Sequence, residues 1–89
     1  MYEISDYTKR KAQMFGVDVK PSSRKNKKID VFKKNGDYIT SIGDIRYKDY
    51  PYYLKKFGKY YADERKMLFH LRKKNEKGIA SLWSKRLLW

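Results

Sequence analysis

The chain has 89 residues, no cysteine, and 23 Lys and Arg against 10 Asp and Glu, for a formal net charge of +13. A length in the range of a single domain allows only a small core, and without cysteine there is neither a disulfide staple nor a thiolate metal site. Solubility of a small domain needs a net charge of only about 2 to 8, so the surplus implies a negatively charged partner, above all a polyanion that releases counterions on binding.

The first residues, Met1-Tyr2-Glu3-Ile4-Ser5-Asp6, lack the apolar run of a signal peptide, and no stretch approaches the roughly 18 apolar residues of a membrane span. Neither secretion nor membrane spanning is expected. Ser5 or Asp6 can cap a helix through Tyr7, Arg10, Lys11, Met14 and Phe15, with Gly16 as its left-handed stop. Tyr7, Met14 and Phe15 are expected to dock it, with Lys9, Arg10 and Lys11 towards solvent. Residues 20–28, Lys-Pro-Ser-Ser-Arg-Lys-Asn-Lys-Lys, carry five cations and no long apolar side chain, which reads as an extended basic arm or linker over 17–28. The cluster also has the composition of a nuclear import signal, with a solvated linker as the alternative.

From Lys28 the apolar period becomes two: Ile29 and Val31, then Asn35-Gly36, then Tyr38, Thr40 and Ile42. Asn-Gly between alternating segments predicts a β-hairpin at about 28–43 with a type I′ turn. Six tyrosines fall between Tyr47 and Tyr61, Pro51 suits a first helical turn, and Gly58 ends that short helix. Lys59 to Asn75 then carries the strongest helical pattern. Tyr60, Tyr61, Met67, Leu68 and Leu71 form an apolar stripe interrupted by Glu64, while Lys59, Lys66, His70, Lys73 and Lys77 gather on another face. Gly78 closes this helix, and Ile79 to Trp89 forms a last one, whose Leu87-Leu88-Trp89 ending is expected to pack into the core or a partner. The expectation is a single α+β domain over 1–89, with an N-terminal helix (1–16), a basic arm (17–28), and a hairpin plus two to three C-terminal helices (29–89).

Catalysis finds little support. His70 is the one histidine, it lies among lysines, and no nucleophile is fixed beside it. One histidine and no cysteine cannot supply a zinc set, and Asp44, Asp49, Asp63 and Glu64 do not follow a calcium-loop spacing. The five glycines are isolated at element ends, so no phosphate-cradling loop exists. Neither an enzyme nor a cofactor is expected. What remains is cations interleaved with aromatics, suited to phosphate contact with some stacking. Arg24, Lys25, Lys27 and Lys28 of the arm, with Lys55, Lys56, Lys59, Arg65, Lys66, Arg72, Lys73 and Lys77, are the expected contacts. No base-reading motif is present, so binding should be sequence-neutral.

The stretch Ala62-Asp63-Glu64-Arg65-Lys66-Met67-Leu68-Phe69-His70-Leu71-Arg72-Lys73-Lys74, followed by a glycine-containing spacer and Leu88-Trp89, resembles short basic proteins encoded by nucleocytoplasmic large DNA viruses, especially those of algae and amoebae. Lys28 to Pro51, with its hairpin and Asp49-Tyr50-Pro51, is similar too, so the likeness covers about 28–89. In that pattern an Arg-His pair follows the helix tyrosine or leucine, whereas here Arg72-Lys73 stands with His70 upstream, which argues against a role for the histidine. The resemblance implies a viral origin, and so a virion or the host-cell interior, nucleus or cytoplasm; it carries no activity. The expected partner is nucleic acid, DNA before RNA, held by backbone phosphates on a genome. The alternative is a minor virion or capsid-associated structural protein that cements larger coat proteins through Trp83, Leu87 and Trp89. A module that captures an acidic host protein is a third reading.

Overall fold

The computed structural model describes residues 2–89. The elements run α1 (Asp6–Met14), β1 (Val17–Pro21), β2 (Lys27–Lys33), β3 (Tyr38–Asp44), α2 (Tyr50–Phe57), α3 (Lys59–Lys73) and α4 (Ile79–Leu87). This is the α+β domain expected, with three C-terminal helices and an antiparallel sheet in the order β1-β2-β3.

Ser5 caps α1, its Oγ accepting from the Thr8 N–H at 3.1 Å, and Asp6 places a carboxylate against the positive end of the helix. The docking face differs from the expectation. Met14 is 76% exposed, and Thr8 and Ala12 are the buried residues. Their small side chains, one turn apart, let the helix lie close to the chain's last residues, where the Thr8 hydroxyl donates to the Leu87 carbonyl at 2.9 Å and the Tyr7 hydroxyl to that of Trp89 at 3.1 Å. Phe15 leans edge-on against Trp83, ring centroids 6.3 Å apart.

The segment read as a basic arm is half strand. Val17, Val19 and Pro21 of β1 pair with Lys33, Val31 and Ile29 of β2, so the hairpin becomes a three-stranded meander. The alternation Val17-Asp18-Val19-Lys20 is short and lies beside a run of cations, which hid it; Val17 is buried. Pro21, which lacks an N–H, is tolerated because β1 is an edge strand. Only the turn at 22–26 remains as a basic loop, and Asn26 adopts a left-handed φ of 66° there. The turn between β2 and β3 also departs from type I′. Gly36 takes the left-handed conformation at φ 98° but Asn35 does not, and the Asn35 side chain instead accepts from the Asp37 N–H at 2.9 Å. The result is a longer loop closed by Lys33 and Asp37, whose backbone bond is 2.8 Å.

Val17 of β1, Ile29 and Val31 of β2 and Ile42 of β3 form the sheet's share of the core, joined by Ala12, Leu87, Leu88 and Trp89 among others. Leu87 and Trp89, expected as partner anchors, are therefore core residues. Trp89 stacks on Phe69 of α3 with centroids 4.4 Å apart and planes 8° from parallel, and its edge of the chain is closed by the Tyr50 N–H donating to the Leu88 carbonyl. Trp83 is half-buried.

Two buried carboxylates hold loops to this core. Asp30 accepts from the hydroxyls of Ser22 and Ser41, tying the basic turn to the sheet. Burial pushes its pKa up, but those hydroxyls, the Ser23 backbone and Arg24 outweigh burial and hold it below the usual carboxylate value. Asp49 is the N-cap of α2, receiving the Tyr52 N–H at 3.3 Å, the Tyr2 hydroxyl at 2.8 Å and the Lys28 ammonium at 2.9 Å. Pro51 stands in the first turn of α2, as its missing N–H allows.

Gly58, at φ 89°, turns the chain from α2 into α3, and the fully buried Ala62 lets the two helices approach closely. The orientation of α3 is the reverse of the usual one for an amphipathic helix, whose apolar stripe faces the core. Its apolar stripe faces water, with Tyr60 85%, Leu71 59% and Met67 56% exposed, while Ala62, Arg65, Lys66, Phe69, His70 and Lys73 face the body of the protein. The aromatic Phe69 decides this, because only that side of α3 can reach Trp89.

Candidate functional site

Because α3 packs mainly on α2, it stands off the sheet and leaves a groove of about 720 Å³. One wall is the end of the β2–β3 hairpin with the loop that follows, contributing Lys27, Lys28, Gly43, Asp44, Tyr47 and Lys48. The other is α3, contributing Arg65, Phe69, Arg72 and Lys73; Tyr53, Leu88 and Trp89 lie between, and Ser81 and Ser84 of α4 close one end.

The charges of this groove separate into two groups. Lys28 is consumed by Asp49, with side-chain exposures of 6% and 5%, and Lys73 pairs with Glu76 at 2.8 Å. Asp44 is taken by Arg46 at 2.6 Å; the Arg46 side-chain and backbone hydrogen bonds hold its carboxyl at about 2, so it stays ionised and occupied. Lys27, Lys48, Arg65 and Arg72 have no carboxylate within 4.0 Å among the described residues. Two of these lie on aromatic faces, Arg65 at 5.3 Å from the Tyr53 ring centre and Lys48 at 4.7 Å from that of Tyr52. Such contacts fix the direction of a cation without neutralising it. Tyr47, at the mouth, is 68% exposed. The arrangement is thus a concave, cation-lined surface with an aromatic floor, able to accept the oxygens of an anionic chain and a flat ring beside them.

No family model, curated protein or solved structure matches the chain. The site therefore rests on its own geometry.

Of the twelve cations expected from the sequence to contact phosphate, Lys27, Arg65 and Arg72 line the groove with free charge. Lys73 lines it with a paired charge. Lys28 is a correction: its ammonium is buried and its charge is used internally, because the alternation that points Ile29 inward lays Lys28 over Gly43 towards Asp49. Arg24 and Lys25 sit on the turn at the same end of the sheet, Arg24 over the Tyr38 ring at 5.1 Å. Lys55, Lys56, Lys59 and Lys77 are exposed but do not line the groove, and Lys59 pairs with Asp63 at 2.8 Å. Lys66 is half-buried over the Tyr50 ring at 5.2 Å. The sequence reading missed Lys48 and the placement of Tyr47 and Tyr53; the loop Tyr47-Lys48-Asp49-Tyr50 interleaves both chemistries, but nothing local says that it borders α3.

His70 is half-buried, and burial, then Lys66, Lys85 and Lys11, depress its pKa, with an opposing contribution from the Trp89 backbone. Among the described residues, no group of three or more metal-ligating side chains is placed to hold an ion, and no helix is long and apolar enough to cross a membrane.

Proposed function

We propose that the protein binds nucleic acid by its backbone phosphates, with Lys27, Lys48, Arg65 and Arg72 as the contacts in the groove and Tyr47 as a stacking surface at its mouth. The observation that carries this reading is the convergence on one concavity of four cations outside any close ion pair, Lys27 from β2, Lys48 from the loop before α2, and Arg65 and Arg72 from α3. Elsewhere too the charge is available: among the described residues only five of the 23 Lys and Arg lie within 4.0 Å of a carboxylate. The remainder repel one another, and a polyanion relieves that repulsion. Lys25, two residues before Lys27, extends the path along the sheet end, whereas the Arg24 guanidinium lies over Tyr38. With no recognisable base-reading element, affinity is sequence-neutral, and DNA of a viral genome is the partner that the sequence resemblance favours.

Four phosphate contacts require log affinity to fall with log salt at a slope of about −3 to −4. Each groove substitution, such as Arg72→Ala, should reduce the slope by just under about 1. A variant carrying Lys27→Ala, Lys48→Ala and Arg72→Ala is compared with one carrying Lys55→Ala, Lys56→Ala and Lys77→Ala, which removes the same charge outside the groove. Equal loss of affinity in the two would reject the groove as the site.

A further inference from the structure

The groove occupies one flank of α3; the other flank is an apolar surface left exposed by the described residues. Phe57, Tyr60, Tyr61, Met67, Leu68 and Leu71 are each 40% exposed or more, and the Phe57 and Tyr61 rings, 4.7 Å apart, join the end of α2 to the stripe. At on the order of 150 to 250 Å² for a large side chain, their exposed parts come to roughly 500 to 850 Å². That is at or above the upper end of the usual largest apolar patch of a monomer, about 300 to 600 Å², and comparable to the roughly 800 Å² per partner of a standard interface.

We infer that this surface is the contact between two copies of the chain, packed through antiparallel α3 helices about a twofold axis midway between Met67 and Leu71. The charges on this face favour a second copy over a foreign partner. Glu64 interrupts the stripe in the first half of α3, and Lys74 borders it just past the last turn. Neither has an ion-pair partner among the described residues. Reversing the helix about that axis brings Met67 of each copy against Leu71 of the other and Glu64 of each against Lys74 of the other. The face is therefore self-complementary in shape and sign, as a twofold contact requires. An acidic partner would meet Glu64 as a like charge. Both grooves remain open in the pair, because Arg65, Phe69 and Lys73 lie on the far flank of α3.

Sedimentation equilibrium of the full chain, without nucleic acid, tests this separately from the groove. At about 0.3 M salt, where the screening length is about 6 Å, the wild type should dimerise with a dissociation constant of about 10 to 100 μM. Leu71→Asp should weaken association at least about a hundredfold, with Met67→Asp as a second variant should the first disturb folding. Glu64→Lys and Lys74→Glu should each weaken it about tenfold, and the double charge exchange should return it to within about threefold of wild type. A wild type that stays monomeric to about 1 mM, aspartate variants that dimerise normally, or a double exchange as weak as the single ones would each overturn the proposal. So would a chain that stays monomeric but captures an acidic protein on this face.

Discussion

Asp49→Ala should bring the protein to the edge of unfolding. One carboxylate caps α2, accepts from the Tyr2 hydroxyl and neutralises Lys28, with the two charged side chains 6% and 5% exposed. Breaking a buried pair from one side leaves an uncompensated charge, at about 3 to 5 kcal/mol. The lost cap adds about 1 kcal/mol and the stranded tyrosine hydroxyl about 1 kcal/mol. Because the three share one group, they overlap, and about 4 to 6 kcal/mol is expected. A domain of 89 residues has a total stability of about 4 to 13 kcal/mol. Asp49→Asn retains a capping oxygen but not the charge and should lose about 3 kcal/mol. Adding Lys28→Met to Asp49→Asn removes the orphaned ammonium and should recover at least about 2 kcal/mol of that loss. Urea denaturation followed by circular dichroism measures all three. A loss below about 1 kcal/mol for Asp49→Ala, or no recovery in the double variant, would refute the account of this pair.

Gly43→Ala should destabilise by about 2 to 4 kcal/mol, since a Cβ at φ 78° would lie 2.9 Å from both Leu88 Cδ1 and Lys28 Cδ; a thermal melt unchanged from wild type would contradict this. Trp89→Ala should lose about 3 to 5 kcal/mol as a core residue, where an anchor for a partner would leave the isolated chain's urea midpoint in place. His70 has a folded-state pKa below its ordinary value, so the unfolded chain binds the proton first, and stability should fall as pH drops through about 6.5 towards the folded value. Lys66→Gln should move its NMR titration midpoint upward, and an unmoved midpoint would remove Lys66 as a cause.

The class of fold was legible wherever local chemistry decides. Ser5, Pro51, Gly36 and Gly58 mark boundaries by rules that act within a few residues, and the alternation of Ile29, Val31 and Ile42 needs only the strand's period. What was hidden depended on distant partners. The stripe of α3 reads as a buried face because apolar residues on a helix normally dock, yet the contact of Phe69 with Trp89 turns that stripe outward. Lys28 reads as an arm cation until Asp49, on another element, claims it. The groove was half legible: cations among tyrosines were visible, whereas the opposition of Lys27 and Lys48 to Arg65 and Arg72 exists only once α3 stands away from the sheet.

The hydroxyl of Thr8 and the carbonyl of Leu87 meet across 79 positions of sequence. During synthesis, α1 is therefore made well before part of its seat, since the carbonyls that receive Thr8 and Tyr7 follow 79 and 82 positions later. Until then the nascent chain carries β3 without α4 packed against it, and contacts of such long range close slowly. For a protein with this wiring, a chaperone or the polyanion itself has its greatest influence in the interval before residue 87 emerges.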